Sequence, residues 1–179
     1  EFTNNRTGVT NLDGYFRIVY NNLIHNGDGD FPEDRLRKLN LDIKSQTKSG
    51  NYIILSEPSE IMKQIYNQYN WVDETKEIIK KYSDREIIIH NKFSEVPLNQ
   101  LLKDAWAFVS LQSTAGFKAM LNGIPTFFTL DSLNKINKIE TIENPKINYK
   151  ILNNLAYGQW TISEIESGEA WENITKNSL

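Results

Sequence analysis

The segment from Trp106 to Phe128, WAFVSLQSTAGFKAMLNGIPTFF, constrains the fold of this chain more than any other. Two apolar runs rich in β-forming residues enclose a short helical pattern, which opens at Ser113 and closes at Gly123. The segment therefore predicts a strand, a capped helix and a second strand. Strands joined through a helix usually run parallel, so a parallel sheet is expected.

The same alternation occurs upstream of this segment. YIILSEP predicts a strand ending at Ser56, and the three isoleucines of REIIIHNK predict a strand buried on both faces. Helices are predicted for SEIMKQIYNQY, DETKEIIKKY (starting at an Asp73 cap) and PLNQLLKDA. In the first of these helices, Ile61, Ile65 and Tyr69 recur at helical spacing. We predict an α/β fold: a Rossmann-like, doubly wound, mostly parallel sheet with helices on both faces.

The two ends of the chain are less regular. YFRIVYNNLI predicts one or two extended segments, HNGDGDFP a turn and PEDRLRKLNLDI a short helix. Near the C-terminus, KINYKILNNLAY predicts a helix, and TISEIESGEAW begins another, with Thr161 and Glu164 at capping-box spacing.

The length of 179 residues suits one domain with a single core. We expect a single α/β domain over 1–179, divided into an irregular or extended N-terminal part (1–50), a βαβ core (51–130) and C-terminal helices (131–179). The chain begins with Glu1 and Phe2 rather than methionine, and we expect the N-terminal part of the fold to be incomplete.

Composition excludes several classes of function. A net charge of -3 and a pI near 5.5 argue against nucleic acid and membrane surfaces as partners. The chain has no cysteine and two histidines, so we expect no metal site. No apolar run has the roughly 20 residues of a membrane helix, and no signal pattern is present, so we expect a soluble, cytoplasmic protein. The oligomeric state cannot be read from the sequence.

Ligands of open parallel sheets gather at the carboxyl ends of the strands, and this rule selects candidate site residues. The predicted strand ends carry Ser56-Glu57, His90-Asn91-Lys92, Ser110 to Thr114, and Thr129 with Asp131. The third set is the richest, because a helix start with exposed N–H groups, two hydroxyls and an approachable Gly116 suits a phosphate or diphosphate.

Each candidate has a simpler interpretation as well. Ser113 caps a helix whether or not an anion binds there, and Gly116 permits close packing against the sheet. His90 is either a phosphate contact or acid/base, or a structural histidine, and Lys92 is either an anion partner or a solvated lysine. There is no P-loop and no GxGxxG, and SLQSTAG is not the nucleophile elbow G-x-S-x-G.

The pattern S-T-A-G-F-x-A-M-L-N-G-I-P between two strands resembles the nucleotide-binding half of GT-B glycosyltransferases and UDP-N-acetylglucosamine epimerases. Together with NLDGYF and LAYGQWTISEIESGEAW, it resembles a group of small phage and marine bacterial proteins that look like a single GT-B-type lobe. This resemblance implies that Ser113, Thr114, Ala115 and Gly116, preceded by Gln112, contact a diphosphate or other anion. It places His90 and Lys92 in the neighbouring loop.

One residue departs from the glycosyltransferase pattern. Many of those enzymes have a glutamate in this helix that contacts the donor's ribose or sugar, whereas this chain has Lys118, which cannot accept hydrogen bonds from hydroxyls. Either Lys118 points to solvent or the ligand differs from a nucleotide sugar. No catalytic residue is assigned, apart from His90 as a weak candidate.

The leading hypothesis is a glycosyltransferase-like domain that binds a nucleotide sugar, or another phosphate-bearing ligand, at a helix N-terminus. The nucleotide sugar or glycan is then a substrate, and no cofactor is expected. Two alternatives remain open: a non-catalytic binding or interaction domain of the same fold, and an epimerase or hydrolase that uses the same anion cradle.

Overall fold

A computed structural model describes residues 14–19, 30–47, 49–130 and 137–178. The chain divides into two compact units, Glu1–Leu41 with Tyr149–Leu179 (unit 1) and Asp42–Asn148 (unit 2). The predicted domain boundaries at 50 and 131 do not coincide with this division, and the expectation of one domain over 1–179 stays a prediction. Tyr20–Gly29 and Asp131 lie outside the described residues, so the predictions made for them are not addressed.

Unit 2 contains the parallel sheet. Its elements are β2 (Tyr52–Ser56), α2 (Glu60–Tyr66), α3 (Trp71–Lys80), β3 (Glu86–His90), α4 (Leu98–Leu101), β4 (Ala105–Ser110), α5 (Thr114–Leu121) and β5 (Thr126–Phe128), with 3-10 turns at Leu102–Asp104 and Ile139–Thr141. The four strands pair in the order β3-β2-β4-β5, and every pair is parallel. This confirms the predicted α/β fold, whose sheet is compatible with a Rossmann-like arrangement.

Both faces of this sheet are covered. On one face, Ile53, Leu55, Ala107 and Val109 pack with Trp71 and Ile79 of α3 and with the 3-10 turn at Ile139–Thr141. On the other face, Ile54 and Phe108 pack with Ala119 of α5 and with α4 and the turn that follows it. The alternation arises because successive side chains of a strand point to opposite faces, so each strand contributes to two cores.

The ends of α5 follow the sequence prediction. The Ser113 side chain accepts a hydrogen bond from the Ala115 N–H as the N-cap. Gly123 lies just past the helix with φ +78°, and an added Cβ would approach the Ser45 carbonyl oxygen to 2.2 Å. A glycine is required there both by the left-handed backbone and by this close approach.

The start predicted for α3 and the apolar face predicted for α2 differ from the structure. Helix α3 begins at Trp71 with Asn70 as its N-cap, so Asp73 lies inside the first turn, where its charge still favours the helix dipole. Ile61, Ile65 and Tyr69 are 68%, 58% and 59% exposed, so the helical spacing found in the sequence does not mark the buried face. The residues that pack against the core of unit 2 at this position are Tyr66, at the end of α2, and Trp71, at the start of α3.

Unit 1 is built from short elements. They are β1 (Phe16–Arg17), α1 (Asp34–Lys38), α6 (Lys150–Ala156), β6 (Gln159–Trp160), α7 (Ile162–Glu166) and α8 (Glu169–Ser178), with β1 and β6 antiparallel. The predicted capping box at Thr161 and Glu164 is present. The single helix expected from TISEIESGEAW is two helices, divided at Gly168 with φ +84°.

The centre of unit 1 is a buried ion cluster. Arg35, 6% exposed, donates from both terminal nitrogens to the Glu164 carboxylate at 3.2 Å, and its guanidinium lies 3.7 Å from the centre of the Trp160 ring. Lys38 donates to the same carboxylate at 2.6 Å. Burial alone would raise the pKa of Glu164, but the hydrogen bonds from Arg35, Lys38 and Thr161 lower it to about 2.

None of the helices in the described ranges has the length and apolar character that crossing a bilayer requires. Within the same ranges, no group of three or more histidine, aspartate or glutamate side chains is arranged to hold a metal ion.

Candidate functional site

The strand order predicts a ligand crevice between β2 and β4. From β2 the chain continues to β3, which lies on one side of β2. It then crosses to β4 on the other side of β2 and continues outward to β5. Adjacent parallel strands whose connections diverge in this way form a topological switch point, and ligands of such sheets bind outside the carboxyl ends of these strands. The carboxyl ends of β2 and β4 are Ser56 and Ser110.

The last residues of the four strands form one row across the sheet. His90, Ser56, Ser110 and Phe128 are register partners in that order. Side chains at paired positions of parallel strands point to the same face. Gly116 of α5 lies against Phe128, so the face of this row is the one that α5 covers.

Two buried polar groups at this edge have no hydrogen-bond partner among the described residues. They are the Ser110 hydroxyl, in a residue that is fully buried, and the Gln112 side-chain nitrogen, in a residue that is 6% exposed. The Gln112 amide oxygen accepts a hydrogen bond from the Tyr66 hydroxyl at 3.2 Å, so its side chain links the segment after β4 to the helix after β2. A buried donor without a partner costs about 1–3 kcal/mol, and such groups are rare in native structures unless a ligand or water satisfies them.

The first turn of α5 is a smaller anion site than the sequence suggested. The Ala115 N–H donates to the Ser113 hydroxyl at 3.1 Å, and the Gly116 N–H donates to the Ser113 carbonyl at 3.0 Å. The backbone N–H groups of Ser113 and Thr114 have no partner within the described part of the chain. Two free N–H groups, rather than four, are therefore available to a ligand.

Gly116 has a clear packing role. A Cβ built on Gly116 would lie 2.7 Å from the Phe128 ring and 3.0 Å from a Thr126 methyl group. The glycine therefore lets α5 pack closely on β5, and the Thr126 hydroxyl donates to its carbonyl at 3.0 Å. This favours the packing interpretation of Gly116, while a ligand contact through its backbone stays a prediction.

The loop after β3 is held by a chain of hydrogen bonds from Glu57. Its carboxylate accepts from Lys63 at 2.9 Å and from the Asn91 side-chain amide at 2.9 Å. The Lys63 ammonium, followed by the Asn91 amide, lowers the pKa of Glu57. Asn91 in turn accepts from the Phe93 N–H and donates its own N–H to Ser94. Glu57 is therefore a structural anion that fixes the loop carrying His90 and Lys92.

The predicted site residues fall into two groups at this edge. Gln112, Ser113, Thr114, Ala115 and Gly116 are contiguous around the start of α5. His90 lies on the same face but two strands away from Ser110, which is about 10 Å at ordinary strand spacing. Lys92 is exposed, with its ammonium 4.7 Å from the centre of the Phe93 ring. A ligand that contacts both groups must be longer than one phosphate.

Sequence reasoning missed Tyr66 and gave Ser110 no role of its own. Ser110 carries a usable signal, a hydroxyl at the end of an otherwise apolar strand. Tyr66 carries none, because its contact with Gln112 joins residues 46 positions apart.

Comparison of this chain with protein-family models, curated proteins and solved structures finds no match.

At the amino end of the same sheet, the polar side chains have hydrogen-bond partners. Arg85 donates to the Gly50 carbonyl at 2.7 Å and to Glu143 at 3.1 Å, and its guanidinium lies 4.0 Å from the centre of the Trp106 ring. Ser83 donates to Glu143 and accepts from the Arg85 N–H. A surface concavity lined by residues 80–85 and Glu143 lies beside this cluster, but its buried side chains already satisfy one another.

Proposed function

We propose that unit 2 binds a phosphate-bearing ligand at the β2/β4 crevice, and that this ligand is a nucleotide sugar with its diphosphate at the start of α5. The observation that carries the proposal is the pair of buried donors, Ser110 and Gln112, which have no partner among the described residues. The Ser113 and Thr114 N–H groups add two further donors. Each of these four groups can donate a hydrogen bond to an oxygen-rich anion.

The separation of the two groups of site residues supports an extended ligand. With the diphosphate beside Ser113, the sugar or nucleoside would extend along the edge toward His90 and Lys92, about 10 Å away. Catalysis at this edge would consist of positioning and of electrostatic stabilisation of the leaving diphosphate by the helix N–H groups, with Lys92 near the other end of the ligand. Covalent catalysis is not required, and the proposed activity is that of a glycosyltransferase-like domain.

Binding is tested by calorimetry and thermal shift with UDP, GDP and CMP sugars, each with and without magnesium, and with pyrophosphate alone. Gln112→Leu and Ser110→Ala each remove one unpartnered donor, and each should weaken binding about tenfold, the equivalent of one hydrogen bond to a charged group. Gln46→Leu and Ser83→Ala are controls of the same residue types, because the Gln46 nitrogen and oxygen both have partners and the Ser83 hydroxyl is bonded to Glu143 and the Arg85 N–H. Binding that the controls weaken as much as the test variants would contradict the proposal, as would no stabilisation by any of these ligands.

The epimerase or hydrolase alternative depends on His90. The variant His90→Ala distinguishes this alternative from the proposal. It should leave the affinity for pyrophosphate unchanged, because His90 lies two strands from the diphosphate position. If turnover is found and His90→Ala abolishes it while binding persists, the acid/base alternative replaces the positioning mechanism.

A further inference from the structure

Strand β3 has the sequence of an interior strand but lies at the edge of the sheet. Its residues are Glu86–His90, EIIIH, and three consecutive isoleucines are typical of strands covered on both faces and both edges. In the described part of unit 2 its only strand partner is β2. Ile89 is 44% exposed as a result. Natural sheets usually protect such an edge, because its free N–H and C=O groups pair readily with another chain.

The other edge of the sheet is protected. Strand β5 has three residues, all buried. The Asn137 side-chain amide donates to the Thr126 carbonyl at 3.0 Å, which satisfies one of the outward-facing backbone groups. An edge of this length, already occupied, offers little to a partner strand. The exposed pairing edge of unit 2 is therefore β3.

The outward-facing backbone groups of β3 can be assigned. The His90 carbonyl accepts from the Glu57 N–H, so His90 faces β2. Backbone groups alternate along a strand, and hence Ile88 and Glu86 also face β2, whereas Ile87 and Ile89 face outward. Beyond them, the Arg85 and Asn91 N–H groups already donate to Ser83 and Ser94. Within the described strand β3, the free edge is thus two N–H and two C=O groups, on Ile87 and Ile89.

From this pattern we propose that two copies of the chain pair through β3, antiparallel and centred on Ile88, to form one continuous eight-stranded sheet. In this register Ile87 of each copy lies opposite Ile89 of the other. These are hydrogen-bonded positions, and the four bonds formed use all the free groups on both strands. If the centre moved to Ile87 or to Ile89, the pairing would need the Arg85 or the Asn91 N–H group, which already donates to Ser83 or Ser94. Some of the free groups on Ile87 and Ile89 would then have no partner.

The side chains of this register are complementary. Glu86 of one copy lies across from His90 of the other, whose imidazole can donate a hydrogen bond to the carboxylate. Beyond the strand ends, Asp84 and the other copy's Lys92 bring opposite charges together. Opposite charges at facing positions stabilise antiparallel pairs, and like charges destabilise them. On the opposite face, the two Ile87 and Ile89 pairs form one apolar patch that covers the exposed Ile89. A second copy of this chain therefore fits the edge in backbone, charge and apolar surface.

Sedimentation velocity over a concentration series tests the dimer. The wild-type chain should pass from monomer to dimer as concentration rises, because an interface of this size is weak. Ile89→Lys places a charge on the pairing edge and should weaken dimerisation at least about tenfold. Ile61→Lys is the matched control, since this isoleucine is 68% exposed on α2, and it should leave the dimer unchanged.

A charge exchange tests the register. Asp84→Lys and Lys92→Asp should each weaken the dimer, because each places like charges side by side, and the double variant should restore it. Thermal melting of each variant reports whether the monomer fold is retained. The proposal is overturned if the wild-type chain stays monomeric at all attainable concentrations, if Ile89→Lys folds and dimerises like the wild type, or if the double variant fails to recover what both single variants lost.

Discussion

The two ends of the four-stranded sheet differ in how their buried polar groups are satisfied. At the amino end, Arg85, Glu143 and Ser83 form a closed network of hydrogen bonds. At the carboxyl end, Ser110 and Gln112 are more buried than Arg85 and Glu143, whose side chains are 28% and 38% exposed, yet each retains an atom without a partner in the described structure. A satisfied cluster contributes stability, whereas an unsatisfied one reduces stability until a ligand fills it. The comparison thus separates polar groups that other side chains satisfy from polar groups that have no partner among the described residues.

The largest expected effect tests this rule at the buried ion cluster of unit 1. Glu164→Gln removes the buried negative charge that faces Arg35 and Lys38, leaving the buried guanidinium with only the half-exposed Glu169 carboxylate, at 3.5 Å, as a counter-charge. Breaking a buried pair from one side typically costs about 3–5 kcal/mol, so we expect a loss of unfolding free energy of that order in urea. Glu166→Gln, an exposed position on the same helix, is the control and should cost little. A loss no larger than that of the control would mean that satisfied clusters do not carry the stability.

The same carboxylate predicts acid sensitivity. Its pKa falls from an ordinary 4.5 to about 2 in the folded chain, so the folded state favours the ionised form. This contribution is complete above about pH 4.5 and is lost progressively as the pH falls toward 2, for a total of about 3 kcal/mol. Urea unfolding of the wild type at neutral pH and at about pH 3 should show the loss, and Glu164→Gln should reduce its pH dependence. Equal acid sensitivity in both proteins would assign the effect to other groups.

Some of this comparison could be predicted from sequence and some could not. The β-α alternation, the Ser113 cap and the Gly123 stop are local patterns, and the structure confirms them. The edge position of β3 is not local, because strand order depends on contacts between distant segments, and three isoleucines predict burial wherever the strand lies. The same holds for Ile61 and Ile65, whose helical spacing is real but faces solvent.

The candidate site shows the same limit. Its location followed from the rule that ligands bind at the carboxyl ends of strands, and the sequence set Ser110 to Thr114 lies there. Which donors are free could not be predicted: Ser113 satisfies the Ala115 and Gly116 N–H groups, and Tyr66 holds one atom of the Gln112 amide. Hydrogen-bond satisfaction depends on side-chain positions that periodicity does not encode.

A matched pair of glutamines sharpens the comparison with a smaller effect. The Gln46 amide donates to the Pro145 carbonyl at 2.8 Å and accepts from the Ile147 N–H at 2.9 Å, whereas Gln112 has one partner. Gln46→Leu should cost about 2 kcal/mol of unfolding free energy, because it leaves two backbone groups unsatisfied. Gln112→Leu removes one hydrogen bond, from Tyr66, together with one unpartnered buried nitrogen, so in the absence of ligand it should cost about 1 kcal/mol or less. If Gln112→Leu is the more destabilising of the two, the Gln112 nitrogen has a structural partner and the site loses one of its two buried donors.

The smallest expected effect comes from two buried serines of unit 2, one at each end of the sheet. Because the residue type is the same, this pair compares the two ends directly. Ser83, 7% exposed, has its hydroxyl bonded to Glu143 and to the Arg85 N–H, so Ser83→Ala should cost about 1 kcal/mol. Ser110 is fully buried with a hydroxyl that has no partner, so Ser110→Ala removes a desolvation cost and should leave stability unchanged or raise it by up to about 1 kcal/mol. Unfolding free energies measured by urea denaturation without ligand give the sign of the stability change that each substitution causes. A destabilised Ser110→Ala would show that this hydroxyl already contributes to the fold, and the distinction between a closed amino end and an open carboxyl end would then rest on Gln112 alone.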